Sequence, residues 1–337
     1  MSVNLIEVAN SDDGNAYGGN ANYTDANDIV VLDNGGTRIR IGHIRSGVLC
    51  EEFAIHSSQL LCVPNAREVL VELIRNYAQQ YDLNLKAAIL GIPALLDREN
   101  DIISHCNNIP QLQGRGLRAF LAEELHCDVL LEQDIMLQLL GEWKAGAARQ
   151  QNSVFGVYFG TGIGAAYLLN GDPVNPLVQD IQAGHFPIMA EGKICKCGNT
   201  DCVEAYASGH TLTGLAVQAA CPVEKLFEYR FEDRWKARLH DELSQFILYQ
   251  AYVLATVCTM FNPGLLIVGG GIPLMAGYPR DELIEKTRNH LQKPHPATTL
   301  KISWASLPGI APLHGALALL ERHAGNSSSI TQVNRLS

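Results

Sequence analysis

The stretch Cys195-Lys196-Cys197-Gly198-Asn199-Thr200-Asp201-Cys202-Val203-Glu204 constrains this chain more than any other. Three cysteines fall within eight residues, and the pair Gly184-His185 lies just upstream. Thiolate and imidazole are the donors that Zn²⁺ prefers, and one His with three Cys fills a closed tetrahedral site. A closed site leaves no position for substrate, so His185, Cys195, Cys197 and Cys202 read as a structural zinc site. Its task is to pin a loop too polar to be held by burial alone. Three free thiols beside an unrelated His are the plainer alternative, but the full ligand set and the tight spacing favour metal. Glu204 follows closely on the last cysteine, so the staple also fixes a carboxylate.

The 337 residues suffice for two domains with ample core. A formal net charge of −10 argues against nucleic acid as the main partner. The apolar runs fall short of the roughly 18 residues of a membrane span, and the polar, acidic start is unlike a secretory signal. Of nine cysteines, Cys50, Cys62, Cys106, Cys127, Cys221 and Cys258 are scattered through apolar segments. They read as reduced core thiols of a cytoplasmic protein.

Residues 1–28, rich in Asn, Asp and Gly, and residues 325–337 read as disordered tails. Order is expected from the strand Ile29–Leu32, which enters the corner Asp33-Asn34-Gly35-Gly36-Thr37 and returns along Arg38–Gly42. A third strand, Val48–Ile55, follows the Gly47 turn. Glycines let the backbone bend and let a phosphate approach its amides, and Asp33 at the strand end can hold Mg²⁺. An ordinary hairpin turn is the alternative. Helices are expected over Asn65–Tyr81 and Leu117–Leu125, with strands at Lys86–Leu90 and Val129–Leu131. Asn107 and Asn108 before Pro110 suit either sugar hydroxyls or a turn. Asp134, at a strand-to-helix junction ahead of the helix Ile135–Ala147, either caps that helix or serves as a general base aimed into a cleft.

The strand Ser153–Phe159 leads into Gly160-Thr161-Gly162-Ile163-Gly164. Gly160, Gly162 and Ala165 match the dinucleotide fingerprint, with Asp180 further on. That fingerprint needs a helix after the glycines, whereas Asn170-Gly171 closes a short apolar run and predicts a hairpin. Beyond Ser208 a helical region runs to Met260, broken near Pro222 and Phe231. A strand ends at Gly269-Gly270-Gly271, Arg280–Leu291 is a helix, Leu300–Trp304 a strand, and Pro312–His323 a final helix of small residues. The two glycine corners, at 33–37 and 160–164, then face each other across a cleft that suits ATP.

Taken in order, the Asp33–Thr37 corner, the Gly160–Gly164 turn, Gly184-His185, the Cys195–Glu204 cluster and Gly269–Gly271 resemble the ROK family of bacterial sugar kinases, repressors and open reading frames. The resemblance covers roughly residues 29–324. It implies an α/β protein of the actin-like ATPase (ribonuclease H-like) fold, with two lobes around a nucleotide cleft. Residues 29–131 would form the N-terminal lobe and 132–311 the C-terminal lobe with its zinc loop. Residues 312–324 would form a helix returning to the first lobe.

The resemblance also assigns roles. Asp33, Gly35, Gly36, Thr37 and Arg38 would line the ATP phosphates and Mg²⁺, and Gly160, Thr161, Gly162 and Gly164 the second phosphate loop. Gly270 and Gly271 would sit against the nucleotide. Asn108, Gln182, His185 and Glu204 would hold sugar hydroxyls, and Asp134 would be the base that activates the 6-hydroxyl of a hexose. A homodimer is implied, since the family is often dimeric. Three departures stand out: Gln182 where the family usually has Glu, Gln133 and Met136 where Asn flanks the catalytic Asp, and Asp201 in place of a usual Gly. General similarity is greatest to bacterial D-allose kinases. The rival readings are a sugar-sensing repressor of the same family, a catalytically weak relative and a nicotinamide-dependent dehydrogenase. Residues 1–28 lack the basic, helical pattern of a repressor's DNA-binding domain.

Overall fold

The computed structural model describes residues 28–106, 108–174, 181–189 and 191–333, without the side chains of 233–238 and 323–333. The expected N-terminal tail thus falls outside the described residues except for Asp28, which already belongs to the first strand.

The N-terminal lobe opens with the meander β1 (Asp28–Asn34), β2 (Arg38–Arg45) and β3 (Val48–Ser57), followed by α1 (Ala66–Gln80) and β4 (Leu85–Ile92). Three short strands follow, β5 (Leu95–Asp97), β6 (Ile102–His105) and β7 (Gly114–Arg115), then α2 (Leu117–Leu125) and β8 (Asp128–Gln133). The main sheet has the order β3-β2-β1-β4-β8, antiparallel across the meander and parallel from β1 through β4 to β8. Every residue of β1 is buried, as a central strand covered on both faces requires. Val30 and Leu32 pack under α1 and α2, while Ile29 and Val31 face the opposite layer.

The C-terminal lobe repeats the plan. After α3 (Asp134–Lys144) come β9 (Ser153–Phe159), β10 (Ile163–Leu169) and β11 (Asp172–Pro173). The helices α4 (Glu204–Ala207), α5 (Gly209–Ala219), α6 (Leu226–Tyr229) and α7 (Asp233–Phe261) precede β12 (Leu265–Gly269), α8 (Arg280–Asn289), β13 (Ile302–Trp304) and α9 (Ala311–Val333). The sheet order is β11-β10-β9-β12-β13. Asn170 and Gly171 both take positive φ, the two-residue turn that matches strand twist. β10 pairs antiparallel with β9, with Ile163 opposite Phe159. No helix follows these glycines, which removes the dinucleotide-fingerprint reading.

Two helices tie the lobes together. α3 offers Leu137 to the first sheet and Met136, Leu139 and Leu140 to the second. α9 lays Leu313, Ala316, Leu319 and Leu320 on the first sheet. The small residues foreseen in α9 allow a close crossing: a Cβ on Gly315 would lie 1.9 Å from the Leu137 carbonyl oxygen, and one on Gly141 1.9 Å from that of Ala311. Backbone cannot yield as a side-chain tip can. Gly315→Ala is therefore expected to cost about 1–3 kcal/mol or more, read as a lowered urea midpoint; an unchanged midpoint contradicts this packing.

Some expectations change. α9 continues to Val333 rather than ending by Gly325, because glycine and serines weaken a helix without the hard stop of proline. Among the scattered cysteines only Cys106 and Cys258 are buried, and Cys62 is exposed. The segment Leu239–Phe261 of α7 is long and apolar enough to span a membrane by length and composition. Leu243, Phe246, Ile247 and Leu254 are nonetheless packed in the C-terminal core.

Candidate active site

The site lies at the carboxyl ends of β1, β4 and β8, where open parallel sheets place ligands. Asp33 is fully buried at the end of β1, and its Oδ2 accepts from Arg40 at 3.1 Å. Arg40 stands opposite it in the β1–β2 register. Burial raises the Asp33 carboxyl to about 6, against the pull of Arg40. Its Oδ1 and both polar side-chain atoms of Asn34 are buried without a partner. Gly91, at the end of β4, separates two acids: a Cβ there would lie 3.3 Å from Asp33 Oδ1 and 3.4 Å from Asp134 Cα. Asp134 starts α3, is 8% exposed, and accepts the Ile135 amide at 2.8 Å.

The raised Asp33 value makes a stability prediction with a definite sign. An acid whose folded value exceeds its unfolded one destabilises the fold when ionised. The penalty is fully present above about pH 6 and fades as the pH falls toward 4. Asp33→Asn is expected to raise the melting temperature of the ligand-free protein at pH 7.5, with the margin shrinking between pH 6 and 4. A margin that grows on acidification contradicts the assignment.

The two glycine corners meet. A Cβ on Gly36 would lie 2.8 Å from Thr161 Oγ1 and 3.6 Å from Asn108 Nδ2. The first corner is closed by the Gly35 amide donating to the Arg38 carbonyl at 2.9 Å, with Thr37 and Arg38 exposed. The second is closed by the Gly160 amide donating to the Gly162 carbonyl at 2.9 Å. Gly164 packs on Ile135, next to Asp134. Glu204 Oε2 accepts the Ile163 amide at 2.7 Å and would lie 2.6 Å from a Cβ on Gly162. Asp134 and Glu204 thus border the same turn.

The cysteine-rich loop abuts Glu204. Its amide donates to the Gly184 carbonyl at 2.9 Å, and His185 follows. Donor atoms of His185, Cys195, Cys197 and Cys202 all lie within 4.8 Å of one another. Cys195 Sγ is 3.6 Å from His185 Nδ1, and Cys197 Sγ is 3.6 Å from Cys202 Sγ. Tetrahedral Zn–S bonds of 2.3 Å set sulfurs about 3.8 Å apart, so the donor set fits this ion. Asp201 takes a positive φ of 58°, which accounts for a glycine being usual there. The aspartate holds its place because Oδ1 accepts the Gly192 amide at 2.8 Å, the Lys193 amide at 3.1 Å and the Tyr206 hydroxyl.

Two of the named residues sit differently from the rest. Gln182 is exposed, and its backbone carbonyl receives the His185 amide at 3.0 Å. Gly270, at φ 95°, is shaped by packing: a Cβ would lie 2.2 Å from the Phe159 carbonyl oxygen, whereas one on Gly271 meets open space. Three supports went unread in the sequence. Arg40 pairs with Asp33 only through strand register. Arg98 and Glu132 form a buried pair, and Glu132 accepts the Gln133 amide at 2.8 Å, one residue before Asp134. Gln133, where an Asn is usual, spends its Nε2 on the Ala94 carbonyl at 3.0 Å.

Comparison with known proteins agrees with this geometry. Residues 29–323 match the description "ROK family". A glucokinase of Thermotoga maritima is 26% identical over 324 residues, covering 88% of this chain and 98% of that protein. An N-acetyl-D-glucosamine kinase of Pectobacterium carotovorum is 29% identical over 217 residues, covering 60% and 70%. The crystal structure of a ROK hexokinase from Thermus thermophilus superposes with a TM-score of 0.71 at 29% identity, covering 87% of this chain and 97% of that one. Two lobes of matching sheet order around facing glycine corners make this the actin-like ATPase fold, and the chain belongs to the ROK family.

Proposed function

We propose that this carbohydrate kinase transfers the γ-phosphoryl group of ATP to the 6-hydroxyl of an aldohexose, with Asp134 as general base. The observation that carries the reading is one convergence: Gly36 meets Thr161 while Gly91 brings Asp33 beside Asp134. Phosphoryl transfer asks for positioning and charge neutralisation rather than covalent chemistry. The amides of both corners cradle the phosphates. Asp33, with an open Oδ1, would hold Mg²⁺, which neutralises charge on the phosphates when bound. Asp134 takes the hydroxyl proton as that oxygen attacks in line. Asn108, His185 and Glu204 orient the remaining hydroxyls, with Gln182 at the rim. His185 Nδ1 lies toward Cys195, so that nitrogen would serve the zinc and leave Nε2 to a sugar hydroxyl.

The substrate we favour is D-allose, on general similarity of sequence, and the active species a homodimer. A coupled ADP-release screen over allose, glucose, mannose, fructose, N-acetylglucosamine and N-acetylmannosamine tests the choice. Allose is expected to give the highest kcat/KM. Faster turnover of an N-acetylated sugar moves the assignment to that class, and saturable sugar binding without ADP release supports a sugar-sensing regulator.

A further inference from the structure

Outside the cleft, one side-chain cluster has metal-ligand character and no part in phosphoryl transfer. The β2–β3 register shifts between Gly42 and Ile44: Gly42 faces Phe53 and Ile44 faces Leu49. His43 therefore stands against the three residues Cys50, Glu51 and Glu52. Strand alternation puts Cys50 and Glu52 on one face, the face of His43 under α1. Donor atoms of His43, Cys50 and Glu52 all lie within 4.8 Å of one another.

We propose that His43, Cys50 and Glu52 form a second cation site, for a borderline-soft divalent ion of the Zn²⁺ class, that clamps the bulge between β2 and β3. The donor set of one imidazole, one thiolate and one carboxylate suits that ion and leaves its fourth position to water. A hydrogen bond settles which ring nitrogen is open to an ion. The Tyr77 hydroxyl donates to the Glu52 carbonyl at 2.9 Å, so it must accept at 3.1 Å from His43 Nδ1–H. That fixes the tautomer and leaves the Nε2 lone pair for a metal, the outer-shell arrangement that metal-binding histidines use. Tyr81 stacks on the ring at 5.4 Å and holds its plane.

Arg45 is committed to Asp28 at 2.9 Å and to the carbonyls of Tyr81 and Asp82 at 3.2 Å. His43 is buried, Cys50 half-buried and Glu52 exposed, so an ion has a route in. Tetrahedral coordination needs donors about 3.3–3.8 Å apart, so ion binding would require the two outer side chains to rotate inward. Binding exchanges the Cys50 thiol proton, released to solvent, for the Sγ–metal bond and needs no oxidant. The site stands about 20 Å along β2 from the Thr37 corner, at roughly 3.3 Å per residue, so it is separate from the ATP site.

The test uses reduced full-length protein whose His185–Cys202 cluster is already zinc-loaded, titrated with Co²⁺. One further equivalent with a thiolate-to-cobalt charge-transfer band is expected. Cys50→Ala should remove that band, and Glu52→Gln should weaken the affinity by about tenfold or more. Glu52 is exposed and Cys50 half-buried, so both variants are expected to fold; Cys50→Ser and unchanged sugar-kinase turnover serve as controls for it. Absence of a further equivalent in the parent protein, or its persistence with the same band in Cys50→Ala, overturns the proposal.

Discussion

Asp134→Asn is expected to lower kcat by about 10²–10⁴-fold, the contribution of a positioned general base, while sugar and ATP still bind. The substitution keeps the size and shape of the side chain. The bond from the Ile135 amide to Asp134 Oδ1, at 2.8 Å, needs only an acceptor, which Asn retains. What Asn lacks is a basic oxygen for the hydroxyl proton. The expected pattern is thus a collapse in kcat with a sugar Kd within a few-fold of the parent, measured by calorimetry. Near-normal kcat ends the assignment of Asp134 as base. A collapse in both kcat and sugar affinity points instead to a positioning role.

Removing the cluster metal is the second large effect. Chelation, or Cys202→Ser, is expected to raise the sugar KM by about tenfold or more, on the scale of lost metal support, and to lower the melting temperature. Among described residues the loop has no strand ladder of its own; it is held by two isolated bridges, Pro187 to Cys202 and Ile194 to Thr200, and by the amides that Asp201 accepts. Metal bound there would contribute folding energy to this loop. The effect would reach the sugar through Glu204, which lies two residues past Cys202 and accepts the Ile163 amide of the β9–β10 hairpin. Readdition of Zn²⁺ should restore KM in the chelated protein but not in Cys202→Ser. A KM indifferent to metal content would separate the cluster from the substrate pocket.

The parts of this molecule that a reader could take from the sequence are those written locally. Glycine corners at the ends of alternating strands gave both hairpins, and α2 begins and ends where its periodicity says. The Cys/His cluster was legible because such side chains are rare and three of them fall within one loop. What stayed hidden depends on strand register or on contacts between distant segments. Arg40 belongs to the site because it is opposite Asp33, a fact of pairing that composition does not carry. Glu142, fully buried, accepts the amides of Ser306 and Leu307 at 2.8 Å, more than 160 residues away, and so anchors the approach to α9. The small sheet β5–β6–β7 has strands of two to four residues, too short for a period to show. The need for glycine at 270 is likewise a matter of distant contact, since a Cβ there would strike the backbone of Phe159.

The most direct measurement is proton-coupled ³¹P NMR of the product made from ATP and the best sugar in the screen. Transfer to the 6-hydroxyl predicts a phosphomonoester resonance split by the two protons of the C6 methylene, growing in step with ADP. A resonance split by a single anomeric proton, or inorganic phosphate alone, would contradict an account in which Asp134 directs that hydroxyl at the phosphates held between Gly36 and Thr161.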